Sequence, residues 1–282
     1  MLQRKQNWRG AVLRLKDEMF SSPRILTIRK FRIDGNDDSD TDSELVNRFF
    51  SFVADTEDYK VEHLECIFMD LTDVPTQQLA TTVCKAQYVA FLQCDITIDQ
   101  LSVMFTNISE TSELHLQTLL LTTCLHTQTD IDKVTPSVLA SAVCRLNKCD
   151  FSESQLTRLQ LEELFRKIVE SKNLALTQLN IDDIEDLKEV NEDILTSAVR
   201  RLEVVDLGGF VEGPTAAQIQ AILDAQSSTS KLKELFFRFY QPTNVRIGDK
   251  TFCVDPNIDM MISFIEGRMT SFIQGDRNLM EV

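Results

Sequence analysis

The sequence predicts an α/β fold in which short parallel strands alternate with helices as one repeated unit. Two observations carry that expectation. An apolar spacing L-x-x-L-x-L occurs eight times, as Ile28/Phe31/Ile33, Val61/Leu64/Cys66, Ala86/Val89/Phe91, Leu116/Leu119/Leu121, Leu146/Cys149/Phe151, Leu176/Leu179/Ile181, Leu202/Val205/Leu207 and Leu232/Leu235/Phe237. Their first positions are 33, 25, 30, 30, 30, 26 and 30 residues apart, and self-similarity at a near-fixed period marks a repeat architecture. The last two apolar residues of each triplet are two apart, so in an extended chain they share one side while their neighbours take the other.

The segments between triplets supply the second observation, because they alternate between two kinds and make a larger period of about sixty residues. One kind reads Val134-Thr-Pro-Ser-Val-Leu-Ala-Ser-Ala-Val143, with close copies starting at Val74 and Val190. The other opens on Thr-x-x-Gln, at Thr97/Gln100, Thr157/Gln160 and Thr215/Gln218. A Thr followed three residues later by Gln ahead of an apolar run is a capping box, in which the two side chains satisfy free backbone N–H groups at a helix start. After Thr157 the residues Leu161, Leu164, Phe165 and Ile168 follow at helical spacing.

With these residues in view, the chain resembles a leucine-rich repeat protein of the ribonuclease-inhibitor-like type. The Val-x-x-x-x-Leu-Ala-x-Ala-Val phrase is similar to invertebrate leucine-rich arrays and to the repeat regions of NOD-like receptors. The consensus Asn or Cys three residues past each triplet falls on Asn36, Met69, Cys94, Cys124, Ser154, Ile184, Phe210 and Tyr240 and is met at three of the eight. The resemblance covers about residues 24–240 and implies a solenoid of about eight repeats, its curved parallel sheet on the concave side and its helices on the convex side. It divides the chain into an N-terminal helical cap (1–23), the array (24–240) and a C-terminal cap (241–282).

Read in order, residues 1–22 place Trp8, Val12, Leu13, Leu15 and Met19 among basic residues, as an amphipathic capping helix would. The acidic stretch 34–44 lacks the Gly and Glu of a calcium loop, since Ser39 and Leu45 hold those places. It reads as a loop whose end, around Asp42 or Ser43, caps a helix containing Leu45, Phe49, Phe50 and Val53. Irregular lengths before Val134 and at 208–214 map to loops of the array. Beyond Pro242, residues 245–254 read as a hairpin turning at Gly248-Asp249. From Asp255-Pro256 a final helix is expected, with Met260, Ile262, Phe264 and Ile265, ending near Gly267.

Composition narrows the function. The net charge is −15, and residues 1–32 carry +7 of their own, which leaves −22 for the rest. Nucleic acid and an anionic membrane surface both want a basic patch, so neither is an expected partner; a basic protein is. No apolar run approaches a membrane span or a signal peptide core. Seven cysteines without a paired pattern, Cys66 and Cys149 on core positions, read as buried thiols of a reducing compartment, the cytoplasm or the nucleus. The three histidines His63, His115 and His126 belong to no metal-ligand or nucleophile motif, and eight glycines form no phosphate-cradling loop. Neither catalysis nor a cofactor is expected.

The residues between the inward apolars are then expected to line one open face that binds a protein partner. The candidates are His63, Glu65, Tyr88, Leu92, Thr118, Leu120, Lys148, Asp150, Gln178, Asn180, Asp206, Glu234, Phe236 and Arg238, with Tyr88, Leu92 and Leu120 as an apolar centre inside a charged rim. Two alternatives share the architecture. Ran GTPase-activating proteins resemble it and work with an arginine or asparagine presented by the array, although Arg238 and Asn180 stand in no matching motif. The sensing end of a NOD-like receptor would need a nucleotide-binding domain upstream.

Overall fold

Eight strands follow one another across the sheet in the order of the sequence: β1 (Thr27–Asp34), β2 (Lys60–Ile67), β3 (Ala86–Leu92), β4 (Thr118–Thr122), β5 (Lys148–Asp150), β6 (Gln178–Asn180), β7 (Val204–Asp206) and β8 (Glu234–Phe237). Each pairs parallel with the next. Parallel neighbours need a crossover, and the connections carry α1 (Asp40–Asp55), α2 (Thr76–Lys85), α3 (Ile98–Glu110), α4 (Pro136–Val143), α5 (Arg158–Glu170), α6 (Glu192–Val199) and α7 (Ala216–Asp224). This computed structural model describes residues 27–35, 40–57, 59–122, 131–152, 154, 156–181, 184–208, 213–239, 241–247, 250–256, 258–275 and 277–281. The expected N-terminal cap, His126 and most of both irregular loops lie outside the described residues.

The eight apolar triplets form the sheet side of the core. Every member is buried except Ile28 and Phe31, which are partly buried because β1 is an edge strand. Phe31 instead stacks on Phe49 of α1, ring centroids 3.5 Å apart. The helix side of the core comes from residues such as Leu79, Val83, Leu101, Phe105, Leu161 and Phe165, all buried in the same cluster. Helix α1 starts at Asp40, two to three residues ahead of the expected cap.

Neighbouring units are tied together by side chains that reach back along the chain. All three capping boxes form, at Thr97/Gln100, Thr157/Gln160 and Thr215/Gln218. In each, the glutamine Oε1 accepts from the Thr N–H, and the buried Nε2 has a second role. Gln100 donates to the carbonyls of Leu71 and Val74 (both 2.7 Å), Gln160 to Ile131 (2.6 Å) and Val134 (2.8 Å), and Gln218 to Leu187 (2.9 Å) and Val190 (2.8 Å). Those carbonyls belong to the loop entering the preceding helix. The Leu71, Ile131 and Leu187 carbonyls also accept from the N–H of Val74, Val134 and Val190, whereas the carbonyls of Val74, Val134 and Val190 take the glutamine amide where buried backbone would otherwise go unpaired.

The other kind of helix returns the bond with a cation two residues past its Val. Lys85 Nζ donates to the carbonyls of Val53, Ala54 and Thr56 at the end of α1 (2.9–3.0 Å). Arg145 caps the end of α3 through Ile108 (2.7 Å) and Thr111, and Arg201 caps α5 through Ile168 (2.5 Å), Val169 and Ser171. A helix C-terminus carries free carbonyls and partial negative charge, so a cation satisfies both. The alternation of segments seen in the sequence is therefore an alternation of two kinds of tie.

Past β8 the structure departs from the expected C-terminal helix. The hairpin forms, as β9 (Thr243–Ile247) antiparallel to β10 (Lys250–Val254), but 260–265 is a strand. Three strands, β11 (Met260–Ile265), β12 (Arg268–Gln274) and β13 (Arg277–Glu281), extend the main sheet to eleven, β11 running antiparallel to β8. Burial alternates along β11, with Met260, Ile262 and Phe264 inward and Met261 and Ser263 half-open, a period of two rather than 3.6. Gly267 marks a hairpin and not a helix end: Glu266 and Gly267 have φ of 51° and 73°, the pattern of a type I′ turn. A Cβ on Gly267 would lie 1.8 Å from the Ser227 carbonyl oxygen, so only glycine fits.

Hairpin β9–β10 packs on α7 and continues the layer of helices. The Gln220 amide pairs with Arg246 as a strand would, Nε2 donating to its carbonyl (3.1 Å) and Oε1 accepting from its N–H (3.0 Å). Phe252 of β10 meets Phe272 of β12 edge to face at 5.3 Å. Six cysteines among the described residues are free, five of them buried.

Candidate functional site

The face of the sheet turned away from the helices has continuous registers. One row runs Lys30, His63, Tyr88, Thr118, Lys148, Gln178, Val204, Glu234 and Ser263. The next runs Arg32, Glu65, Ala90, Leu120, Asp150, Asn180, Asp206, Phe236, Met261 and Ile273. A third row is paired over Asp34, Ile67, Leu92 and Thr122. All the sequence-predicted face residues except Arg238, which follows the end of β8, thus come together on one surface. His63 is exposed, Arg238 is buried, and the others are half-buried.

The row that matters most changes character along its length. At the β1 end, Glu65 binds Lys30 (3.0 Å) and Arg32 (3.6 Å), and the rings of His63 and Tyr88 lie 4.9 Å apart. At the centre, Leu120 faces Ala90, which Tyr88 and Leu92 flank on the same strand, while Ile67 faces Leu92 from β2. Ala90 is 1% exposed and makes the floor of this apolar group. Phe68 follows Ile67 directly, 53% exposed and in the left-handed region at φ 54°, its N–H donating to the Leu92 carbonyl (2.9 Å). Gln93 repeats that conformation one unit later (φ 52°), so the turn belongs to the unit and what is particular to Phe68 is the exposed ring.

Beyond Leu120 the row becomes acidic and then apolar again. Asn180 Nδ2 donates to Asp150 (3.3 Å), and Asp150 accepts from the N–H (3.0 Å) and hydroxyl of Ser152. Asp206 accepts from the Gly208 N–H at 2.9 Å. Burial pushes the Asp206 carboxyl above the ordinary range; the Gly208 bond works against this, Asp150 and Asp259 reinforce it, and Arg238 opposes it. The Arg238 guanidinium is committed to Asp259, Nε to Oδ1 at 3.0 Å. Burial likewise pushes the Tyr88 phenol up, with Glu65 and Asp150 adding to the shift. Phe236, Met261 and Ile273 then form a second half-buried apolar group across β8, β11 and β12. Sequence reasoning found Phe236 but missed Met261 and Asp259, which lay in the stretch read as a helix, and Ile273, which lay beyond that helix's expected end near Gly267; the two-residue alternation of 260–264 was the available signal.

Among the described residues no group of three or more His, Cys, Asp or Glu side chains is placed to hold a metal ion. Cys84 and His115 line one groove between α2 and the α3–β4 connection. Burial pushes the Cys84 thiol up to about 11, however, the wrong direction for a nucleophilic thiolate. No helix among the described residues is long and apolar enough to cross a membrane. Compared with known proteins, the chain matches no family model and no curated relative.

Proposed function

We propose that the protein is a leucine-rich repeat solenoid of the ribonuclease-inhibitor-like type that holds a protein partner on its open sheet face and performs no catalysis of its own. The fold reading is supported by strand–helix units that follow the sequence order at near-constant spacing, each tied backward to the one before. The binding reading rests on one observation above all: Ile67, Tyr88, Leu92 and Leu120 stay half-open together across β2 to β4, between the charged side chains of β1 and β2 and the acidic ones of β5 to β7. A core of aromatic and aliphatic side chains within a charged rim is the usual anatomy of a protein interface. Regulation of a small GTPase would need an arginine or asparagine presented by the array; Arg238 is 8% exposed and held by Asp259, and the Asn180 amide donates to Asp150, so the interaction reading is preferred.

Affinity capture with the wild type, with Tyr88→Ala plus Leu120→Ala, and with Leu159→Ser tests it. Leu159 is 68% exposed on α5, on the helix side, and serves as the control. Proteins retained by the wild type and by Leu159→Ser but lost by the double variant are the expected result. Equal recovery with all three chains would overturn the proposal.

A further inference from the structure

Resting on that reading, the row order on the open face points to the chemistry of the partner. We infer that the face takes a helix laid across the strands, carrying an apolar side chain, then a Lys or Arg, then a second apolar side chain along one stripe. The middle row reads Leu120, Asp150, Asn180, Asp206, Phe236 from β4 to β8. Between its two apolar ends it holds two carboxylates and no cation. Lys148 sits in the neighbouring row, and Arg238 is tied to Asp259. A partner cation placed over Asn180 would be flanked by Asp150 and Asp206, and would relieve the repulsion between them and the charge that burial makes costly at Asp206.

Spacing favours a helix. Strands lie about 4.8 Å apart, so Leu120 and Phe236, four steps apart, are separated by roughly 19 Å, with Asn180 halfway. A helix rises about 1.5 Å per residue, which places side chains i, i+7 and i+14 on one stripe over roughly 21 Å. The apolar group is also wide enough. Tyr88 to Leu92 spans roughly 13 Å along the strand, close to a helix diameter of about 10–12 Å, with exposed Phe68 at its rim.

The probe is a phage-displayed library of 18-residue Ala-rich helices randomised at i, i+3, i+7, i+11 and i+14, selected against the full chain. The expected winners carry Leu, Ile, Phe or Met at i and i+14 and Lys or Arg at i+7. Binding of the best peptide, read by fluorescence anisotropy, should fall at least tenfold with Asp150→Asn plus Asp206→Asn and with Phe236→Ser. Leu159→Ser should leave it unchanged, and raising salt should weaken the wild type more than the Asn pair. The Asn pair keeps size and hydrogen-bonding capacity, and matching circular dichroism melts would confirm that it folds. Winners that need Leu120 yet show no preference for a cation at i+7, or bind the Asn pair as tightly, would overturn this inference and leave the proposed function standing. Should no winner depend on Leu120, both fall.

Discussion

In the parallel part of the sheet the helices α2 to α7 each tie back to the preceding unit, by a buried glutamine in α3, α5 and α7 and by a long cation at the C-terminal exit of α2, α4 and α6. At the antiparallel end, β11 and β12 are backed instead by a hairpin, docked on α7 through the Gln220 amide and on β12 through Phe252. The strands β2 to β8 and the strands β11 and β12 bury one side and leave the other more open. The difference teaches that the open face depends on strand alternation alone, while the cover can be helix or hairpin so long as its backbone groups are met. It also shows where order is vulnerable: in the parallel part at one glutamine or cation per unit, at the end in a single tight turn.

That comparison can be broken most strongly at the core. Phe151 is fully buried and faces Phe105 across the α3–β5 packing, centroids 6.3 Å apart. Phe151→Ala should cost about 4 kcal/mol, read as a lower urea midpoint for the whole parallel region. Gln160→Leu comes next. It removes a capping box, strands the buried Val134 carbonyl and takes one of two donors from the Ile131 carbonyl, and should cost about 3 kcal/mol; hydrogen exchange should rise at α4 and α5 more than at β11–β13. Gly267→Ala forces a Cβ into the Ser227 backbone and should cost about 2 kcal/mol, with the opposite exchange pattern, confined to the end. If either variant loosened both regions equally, the two would be one cooperative body and the contrast would lapse.

The smallest effect is a pH dependence. Asp206 has its folded carboxyl raised above its unfolded value, so the native state holds that proton more tightly. Its contribution to stability is therefore fullest below the unfolded pKa and declines as pH rises through the raised folded value. Asp206→Asn should remove that slope, and the variant should unfold at slightly higher urea than the wild type at pH 7. A wild-type curve with no decline above pH 4 that the variant flattens would count against the burial of this carboxylate.

How much of this could be read from the letters differs by residue. The eight triplets, the capping boxes and the alternating face were legible because each is a local periodicity or a three-residue spacing. The apolar centre at Tyr88, Leu92 and Leu120 followed from them by alternation. The 260–265 strand was misread because a short apolar run satisfies either period, and its neighbour β8 arbitrated in favour of the sheet by offering an open edge for antiparallel pairing.

What the sequence alone determined is the division between core and open face at the end of each strand of β1–β8, where the last two apolar residues of each triplet alternate with their neighbours, since a period of two admits only that division once one face is oily. The tertiary structure alone decided where the glutamine amides and the cations end. Their carbonyl partners lie 26 to 37 residues away in segments that no local pattern connects to them, and only stacking of whole units brings donor and acceptor within bonding distance. It also decided that the open face continues past β8, because an edge strand pairs with whatever extended chain returns to it.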